Sequence, residues 1–323
     1  MEPITHAAIG LAISKITGNG INITNAATSA IVVGAVFPDV DILFKKWGDS
    51  VYLKNHRVYT HSIIGLMVSA AFIALVLKFL YSGESFVRLY VYSFIGLSSH
   101  VLFDLMNTYG AMIFWPIKKK RYTAGLISVF DPVLAVSLGV YLFGRGLTAR
   151  VALITCGCYL LFRLVSRLIV LKQIKGIYSK RCRRAFLYPP VTGIFKWHFI
   201  VDEQRKNVIG EKSIFKRNTK ILKDLKKAEE RHLKKAANSD IGKFFGEFTP
   251  LYHVKYEEKN GIRRYIFTDM RYYMKNEFLH HAVLELDKNG TVIKSAFCPF
   301  SLKRKSVSNQ SAMLSCSNKS MSA

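Results

Sequence analysis

His100 and Asp104 stand four positions apart inside an apolar stretch, FVRLYVYSFIGLSSHVLFDLM at 86–106. On a helix such positions share a face, so one imidazole and one carboxylate would be offered to the same ion. Pro38-Asp39-Val40-Asp41 follows another apolar run. The proline favours a break there and frees two carboxylates on a short turn. His61 directly precedes a third apolar run, with His56 five residues earlier, and Thr5-His6 opens a short first one. Ionisable groups in or beside hydrocarbon are costly and call for a function. The series is His6, Asp39, Asp41, His56, His61, His100 and Asp104, with Asp131 as a further member. Imidazole plus carboxylate without thiolate suits zinc, and also manganese or iron. The donors exceed one tetrahedral shell, so either one ion or two ions sharing a carboxylate fits. Such ions make a hydroxide nucleophile near neutral pH and stabilise charge on a phosphoryl or acyl group. Taken singly, each residue has a plainer reading. His100 and Asp104 would be a pair stitching helices, Pro-Asp-Val-Asp a turn, and Asp131-Pro132 a helix start.

The elements that must position these groups are mainly membrane helices. Four stretches are long enough to span about 30 Å of hydrocarbon: 62–81, 86–106, 127–144 and 150–170. Residues 3–16 are too short to span. Residues 26–44 carry Pro38, Asp39 and Asp41, which predicts a helix buried in the protein or lying at the interface. Basic residues cluster at 45–57, at 118–121 (KKKR) and at 172–184. With four spans all three clusters fall on one side, which the positive-inside bias makes cytoplasmic. Both termini are then cytoplasmic, and every candidate donor sits at one membrane depth, the cytoplasmic edge. Scattered structural histidines would not be expected to do so.

Composition agrees with this division. The chain has 323 residues with 47 Lys+Arg against 21 Asp+Glu. Apolar sequence with sparse charge fills 26–170, and basic polar sequence fills 171–305. The fold class expected is a mainly α-helical membrane bundle followed by a small α+β cytoplasmic domain. The expected bounds are 1–184 for the membrane-embedded metal domain, 185–303 for the basic cytoplasmic domain and 304–323 for a disordered tail. Strand-like segments occur at 195–202, 251–256, 263–268, 279–287 and 291–298. Asn260-Gly261 and Asn289-Gly290 mark hairpins. Residues 211–237 read as a Lys-rich helix able to contact anionic lipid. Five cysteines without a C-x-x-C pair predict neither a disulfide framework nor a zinc finger. Met1-Glu2-Pro3 lacks a basic n-region, which predicts no cleaved signal peptide.

The same residues carry a family resemblance. PITHAAIGLA at 3–12, GAVFPDVDIL at 34–43, HRVYTHSIIG at 56–65, SSHVLFDLMNTYG at 98–110 and FDPVL at 130–134 resemble the YdjM-like, LexA-regulated, membrane-bound metal-dependent hydrolases. The region 188–300, with FKWHF and IFTDMRYY, is similar to the cytoplasmic tail of longer members. The resemblance implies a metal-dependent hydrolase of a bacterial cytoplasmic membrane, with His6, Asp39, Asp41, His56, His61, His100 and Asp104 as its residues. A weaker likeness, in His-x-x-x-Asp and the early His, is to zinc phospholipase C and P1-type nucleases. No substrate comes with it.

The expected function is therefore hydrolysis by metal-activated water of a phosphoester or lipid. Asp41 would be a ligand or the general base, Asp39 its partner, and Arg57 a holder of an anionic group. The expected partner is the lipid bilayer, with anionic lipid against the basic segments. The rival reading is a non-enzymatic membrane sensor with a structural metal and a basic output domain. Nucleic-acid binding is not expected, for want of a recognised motif. A transporter fits poorly, because the ionisable groups sit at one edge rather than at the midplane.

Overall fold

The computed structural model describes residues 2–179, 182–190, 193–274 and 276–298. The tail expected at 304–323 lies outside the described residues. The chain divides into two compact units: 1–177 with 187–198 and 212–219, and 178–186 with 199–211 and the residues from 220 on.

The first unit is built from three out-and-back helix pairs. Helices α1 (Pro3–Ile16) and α2 (Ala26–Val36) form the first pair. Asn25 starts α2 by accepting from the amides of Ala27 and Thr28, which satisfies donors that a helix start leaves open. Ser14 meets Thr28 at 2.8 Å, and Gly10 lies against Val32 and Ala35, so the two helices run antiparallel. A 3-10 segment, Phe37–Trp47, then begins at the Phe37-Pro38 break, and α3 spans Asp49–Asn55. The second pair is α4 (Ile63–Leu80), capped by Ser62, and α5 (Phe86–Met106). The third is α6 (Pro132–Phe143) and α7 (Gly146–Ile177).

The span expected at 127–144 differs in the structure. Its helix is 12 residues long, about 18 Å at 1.5 Å per residue, and it begins only where Asp131 caps the Leu134 amide at 3.3 Å. Conversely, Ala26–Trp47 joins Ile63–Leu80, Phe86–Met106 and Gly146–Ile177 as a stretch long and apolar enough to cross a membrane. From sequence, the aspartates of 26–44 predict a buried or interfacial helix. The α-to-3-10 junction places those aspartates past the apolar helix instead of within it. Lys15, at the far end of α1, donates to the carbonyls of Tyr141, Leu142 and Gly144 at 2.7, 3.0 and 2.9 Å. That cation meets the negative end of α6, so α1 and α6 end at the same level.

The C-terminal half carries two four-stranded sheets, ordered β1-β2-β3-β4 and β10-β9-β6-β5, and a short ribbon of β7 (Tyr273–Met274) with β8 (Glu277–Phe278). The first holds β1 (Cys182–Tyr188), β2 (Lys196–Glu203), β3 (Lys206–Ser213) and β4 (Lys220–Lys226). The second holds β5 (Tyr252–Lys259), β6 (Ile262–Asp269), β9 (His281–Leu286) and β10 (Val292–Cys298). Its hairpin turns at Asn260-Gly261, where both residues adopt positive φ, as a two-residue hairpin loop requires. Helices α8 (Glu230–Asn238) and α9 (Asp240–Phe248) precede this sheet. Phe245 and Phe248 of α9 pack on Phe297, and Phe245 also on Phe267.

The helix expected at 211–237 is corrected to the end of β3, the strand β4 and α8. Strand β4 pairs with β3 from Lys206↔Lys226 to Glu211↔Lys220. Pairing with a neighbouring strand outweighs the helical propensity of a Lys/Leu-rich segment, and Asp224 answers Lys206 across the pair at 2.6 Å.

Candidate metal centre

Four donors converge at one end of the first unit. Asp39, on the 3-10 segment, His61, just before α4, and His100 and Asp104, on α5, have ligand atoms all within 4.8 Å of one another. His61, His100 and Asp104 are fully buried, whereas Asp39 is 16 % exposed.

The hydrogen-bond network assigns the imidazole tautomers. His100 Nδ1 lies 2.7 Å from the Ala35 carbonyl. A carbonyl only accepts, so Nδ1 carries a proton, and in the neutral ring Nε2 is a bare lone pair. The Thr60 hydroxyl donates to the Pro38 carbonyl at 2.8 Å, and His61 Nδ1 is 3.0 Å from the same hydroxyl oxygen. With its one proton spent on Pro38, Thr60 accepts from His61 Nδ1–H, and His61 Nε2 is bare as well. Burial holds the His61 imidazole down to about 3 and the His6 imidazole down to about 4, so both are neutral at pH 7.

These bare nitrogens face each other at 3.2 Å. Asp104 Oδ2 lies 3.2 Å from His61 Nε2 and 3.3 Å from His100 Nε2, and Asp39 Oδ1 lies 3.6 Å from His100 Nε2. With both rings neutral, two lone pairs and two carboxylate oxygens face one another here and repel. A cation at their centre turns that repulsion into attraction. The spacing fits one: a tetrahedral zinc with bonds of about 2.0–2.1 Å has ligand–ligand edges of about 3.3 Å.

The remaining residues surround this group in distinct ways. His6, on α1, stacks on His100 with ring centroids 3.7 Å apart. Its Nε2 is 3.4 Å from Asp104 Oδ1, and neither of its buried ring nitrogens has a hydrogen-bond partner. Asp41 turns away from the bare nitrogens. It accepts from His56 Nδ1 at 2.9 Å and from the Arg57 amide at 2.8 Å, and it lies 3.7 Å from His61 Nδ1. Asp41 and His56 thus pair with each other behind His61, whose Nδ1 proton goes to Thr60. Arg57 places Nη2 2.9 Å from Asp104 Oδ1, on the opposite side of that carboxylate from the two imidazoles. Its Nε and Nη1 are buried without hydrogen-bond partners. Asp131 lies apart: it caps α6 and accepts from the Tyr159 hydroxyl at 2.7 Å.

Several supporting groups gave no signal in the sequence reading. Thr60 and the Ala35 carbonyl set the tautomers. Arg121 donates to the His56 carbonyl at 3.0 Å and holds that loop. Gly34 and Gly96 let α2 and α5 touch backbone to backbone, since a Cβ at Gly96 would fall 2.1 Å from the Ile31 oxygen. Small residues in apolar helices signal such close crossings.

Comparison with known proteins adds the following. The family model described as YdjM inner membrane protein matches residues 1–170, and that of the YfhP C-terminal alpha/beta plait domain matches residues 231–306. The chain is 24 % identical over 311 residues to a Bacillus subtilis (strain 168) protein described as "Uncharacterized protein YfhP". That similarity covers 91 % of this chain and 94 % of the relative. No solved structure matches.

Proposed function

The chain belongs to the YdjM inner membrane protein family, and from that premise we propose that it is a metal-dependent hydrolase acting on a phosphoester at the membrane surface. The observation that carries this reading is the convergence of the His61 and His100 Nε2 atoms, whose Nδ1 atoms have other partners, on one carboxylate oxygen of Asp104. His61, His100, Asp104 and Asp39 would hold one divalent ion, zinc by the donor set, with His6 beside it. When bound, the ion activates water and stabilises negative charge on a phosphoryl or acyl oxygen.

The chain's own residues would do the rest. Asp104 is shared: Oδ2 faces the imidazoles and Oδ1 takes Arg57. The guanidinium occupies the position a second ion would need, which favours one ion over two. Arg57 Nε and Nη1, still without partners, suit an anionic oxygen of the substrate. Asp39, whose Oδ2 also has no partner, is placed to accept a proton from water. Asp41 pairs with His56 instead of acting as the base.

A lipid substrate follows from the surroundings of Asp39. The 3-10 segment that carries it exposes Ile42, Leu43 and Trp47 beside Lys45 and Lys46. An apolar and basic strip of this kind suits the headgroup level of an anionic bilayer. The three out-and-back helix pairs each return the chain to the side it left, so the basic segments 45–57, 118–121 and 172–184 share one side; by the positive-inside bias the protein would be a multi-pass cell-membrane protein with both termini cytoplasmic and the site at the cytoplasmic face.

Metal analysis of detergent-purified protein should find about one zinc per chain, with that ion and any phosphodiester or phospholipid turnover lost in His100→Ala. Full metal content in a His61→Ala/His100→Ala double variant would refute the ligand set. The complete burial of three of the four donors favours a second reading, a non-enzymatic sensor with a structural ion. An ion retained against strong chelators, with no turnover on any ester, would select it.

A further inference from the structure

The second unit contains an open basic cavity that the metal chemistry leaves unused. Its volume is about 670 Å³, within the range of about 300–1,000 Å³ usual for small-molecule sites. Six cations line it: Lys226, Lys227, Arg231, Lys255, Arg263 and Lys288. Only Glu229 and Glu258 oppose them there. Lys227 pairs with Asp202, Arg231 with Glu229, and Lys255 with Glu257. Among the described residues Lys226 and Lys288 pair with no carboxylate. Arg263 is anchored by donating to the Asp287 and Lys288 carbonyls, both at 2.8 Å, and its buried Nε has no hydrogen-bond partner.

Among the described residues three of the six cations are thus left without a carboxylate, Lys226, Arg263 and Lys288, and an anion seated among them offsets their mutual repulsion. His232 and Tyr256 stack at 3.7 Å to make a flat wall beside these cations, a surface on which a planar ring attached to a phosphate can lie. The cavity also meets the start of α8, where the Glu229 side chain makes no capping bond and the His232 and Leu233 amides donate to the Glu229 carbonyl at 2.9 and 3.1 Å.

We infer that this cavity in the α/β plait region binds a multiply charged phosphate ligand, either a soluble polyphosphate such as a nucleoside triphosphate or a polyanionic lipid headgroup. The cations arrive from separate elements: the end of β4, the first turn of α8, β5, β6 and the β9–β10 turn. A solvated charged helix face would instead keep its lysines on one element. Here the fold gathers them from across the sheet.

Calorimetric titration of the full chain in neutral detergent with tripolyphosphate, ATP and adenosine tests this. The same titration of Arg57→Ala/His100→Ala, in which the His/Asp centre is disabled, controls for binding there, and unchanged saturable binding in it is expected. Tripolyphosphate and ATP should bind saturably and adenosine should not, with affinity falling as salt rises. Lys226→Glu with Lys288→Glu should weaken binding by about tenfold or more, and Lys226→Arg with Lys288→Arg should preserve it. Both pairs are exposed, and unchanged melting temperatures would show that the fold is intact. Repeating the titration in nanodiscs separates the two sources. Loss of tripolyphosphate binding in anionic but not zwitterionic lipid identifies a headgroup, and equal binding in both identifies a soluble ligand. Absence of saturable binding by tripolyphosphate and ATP, or equal affinity in the double Glu variant, overturns the inference.

Discussion

The two imidazoles at the candidate centre are aimed by their far nitrogens. Ala35 and Thr60 each take the Nδ1 proton, and this leaves Nε2 of both rings bare. Thr60→Val keeps the side-chain volume and removes the acceptor. It frees His61 to place its proton on Nε2, where it blocks coordination. The expected result is zinc affinity lower by about 10–100-fold, measured by competition with a chromophoric chelator. An unchanged affinity would mean that His61 does not depend on Thr60. At this scale the sequence was informative about residue type and silent about role. Imidazoles and carboxylates next to apolar runs are anomalous enough to stand out in one sequence. A threonine before a histidine is ordinary, and so is a backbone carbonyl. The separation of Asp41 from Asp39, two positions apart, also needed coordinates: the 3-10 turn points one at the nitrogens and the other at His56.

Helix crossings bring these groups together. Gly96 of α5 sits on the Ile31–Ala35 turn of α2, and Gly34 sits on Ser93, where a Cβ would fall 2.4 Å from the Ser93 oxygen. Gly96→Leu must push the helices apart, at a cost of about 1–3 kcal/mol for overpacking, and it withdraws the Ala35 carbonyl from His100. Metal content should fall although no donor is touched. Gly139→Ala on α6, where nothing lies within 4 Å of the added carbon, should retain it. Equal metal content in the two variants would separate the crossing from the centre. The helical nature of 63–80 and 86–106 was legible, because long apolar runs have few alternatives. The start of the 127–144 run was less so: Asp131-Pro132 has the form of a helix start, but hydropathy runs on through it and does not register that the cap shortens the helix. Strand β4 was illegible for a related reason. Its lysines suit a helix equally well, and only the partner strand β3 decides.

Over the whole chain, charge is segregated by environment, and buried histidines outside the membrane part report on stability. His253 on β5 accepts from Asn207 at 3.2 Å. Burial, with Lys227 and Lys255 nearby, lowers it to about 4. The unfolded chain therefore takes up this proton first as pH falls, and stability is lost between the ordinary histidine value near 6.5 and about 4, amounting to roughly 3 kcal/mol. Melting temperature in detergent should drop between pH 7 and pH 5, and His253→Gln should shrink that drop. An identical drop in the variant would assign the acid sensitivity elsewhere. The division into an apolar helical half and a basic α/β half was legible from composition alone. The basic cavity was not, because its lysines are scattered over some sixty positions and meet only after the sheet has formed.

Asp39 alone among the four converging donors touches solvent. Any exchange with an ion held there, whether arrival of metal, entry of water or departure of product, has to pass the same carboxylate. Loading and turnover would then compete for a single doorway, and an occupant seated against Asp39 would also lock the ion in.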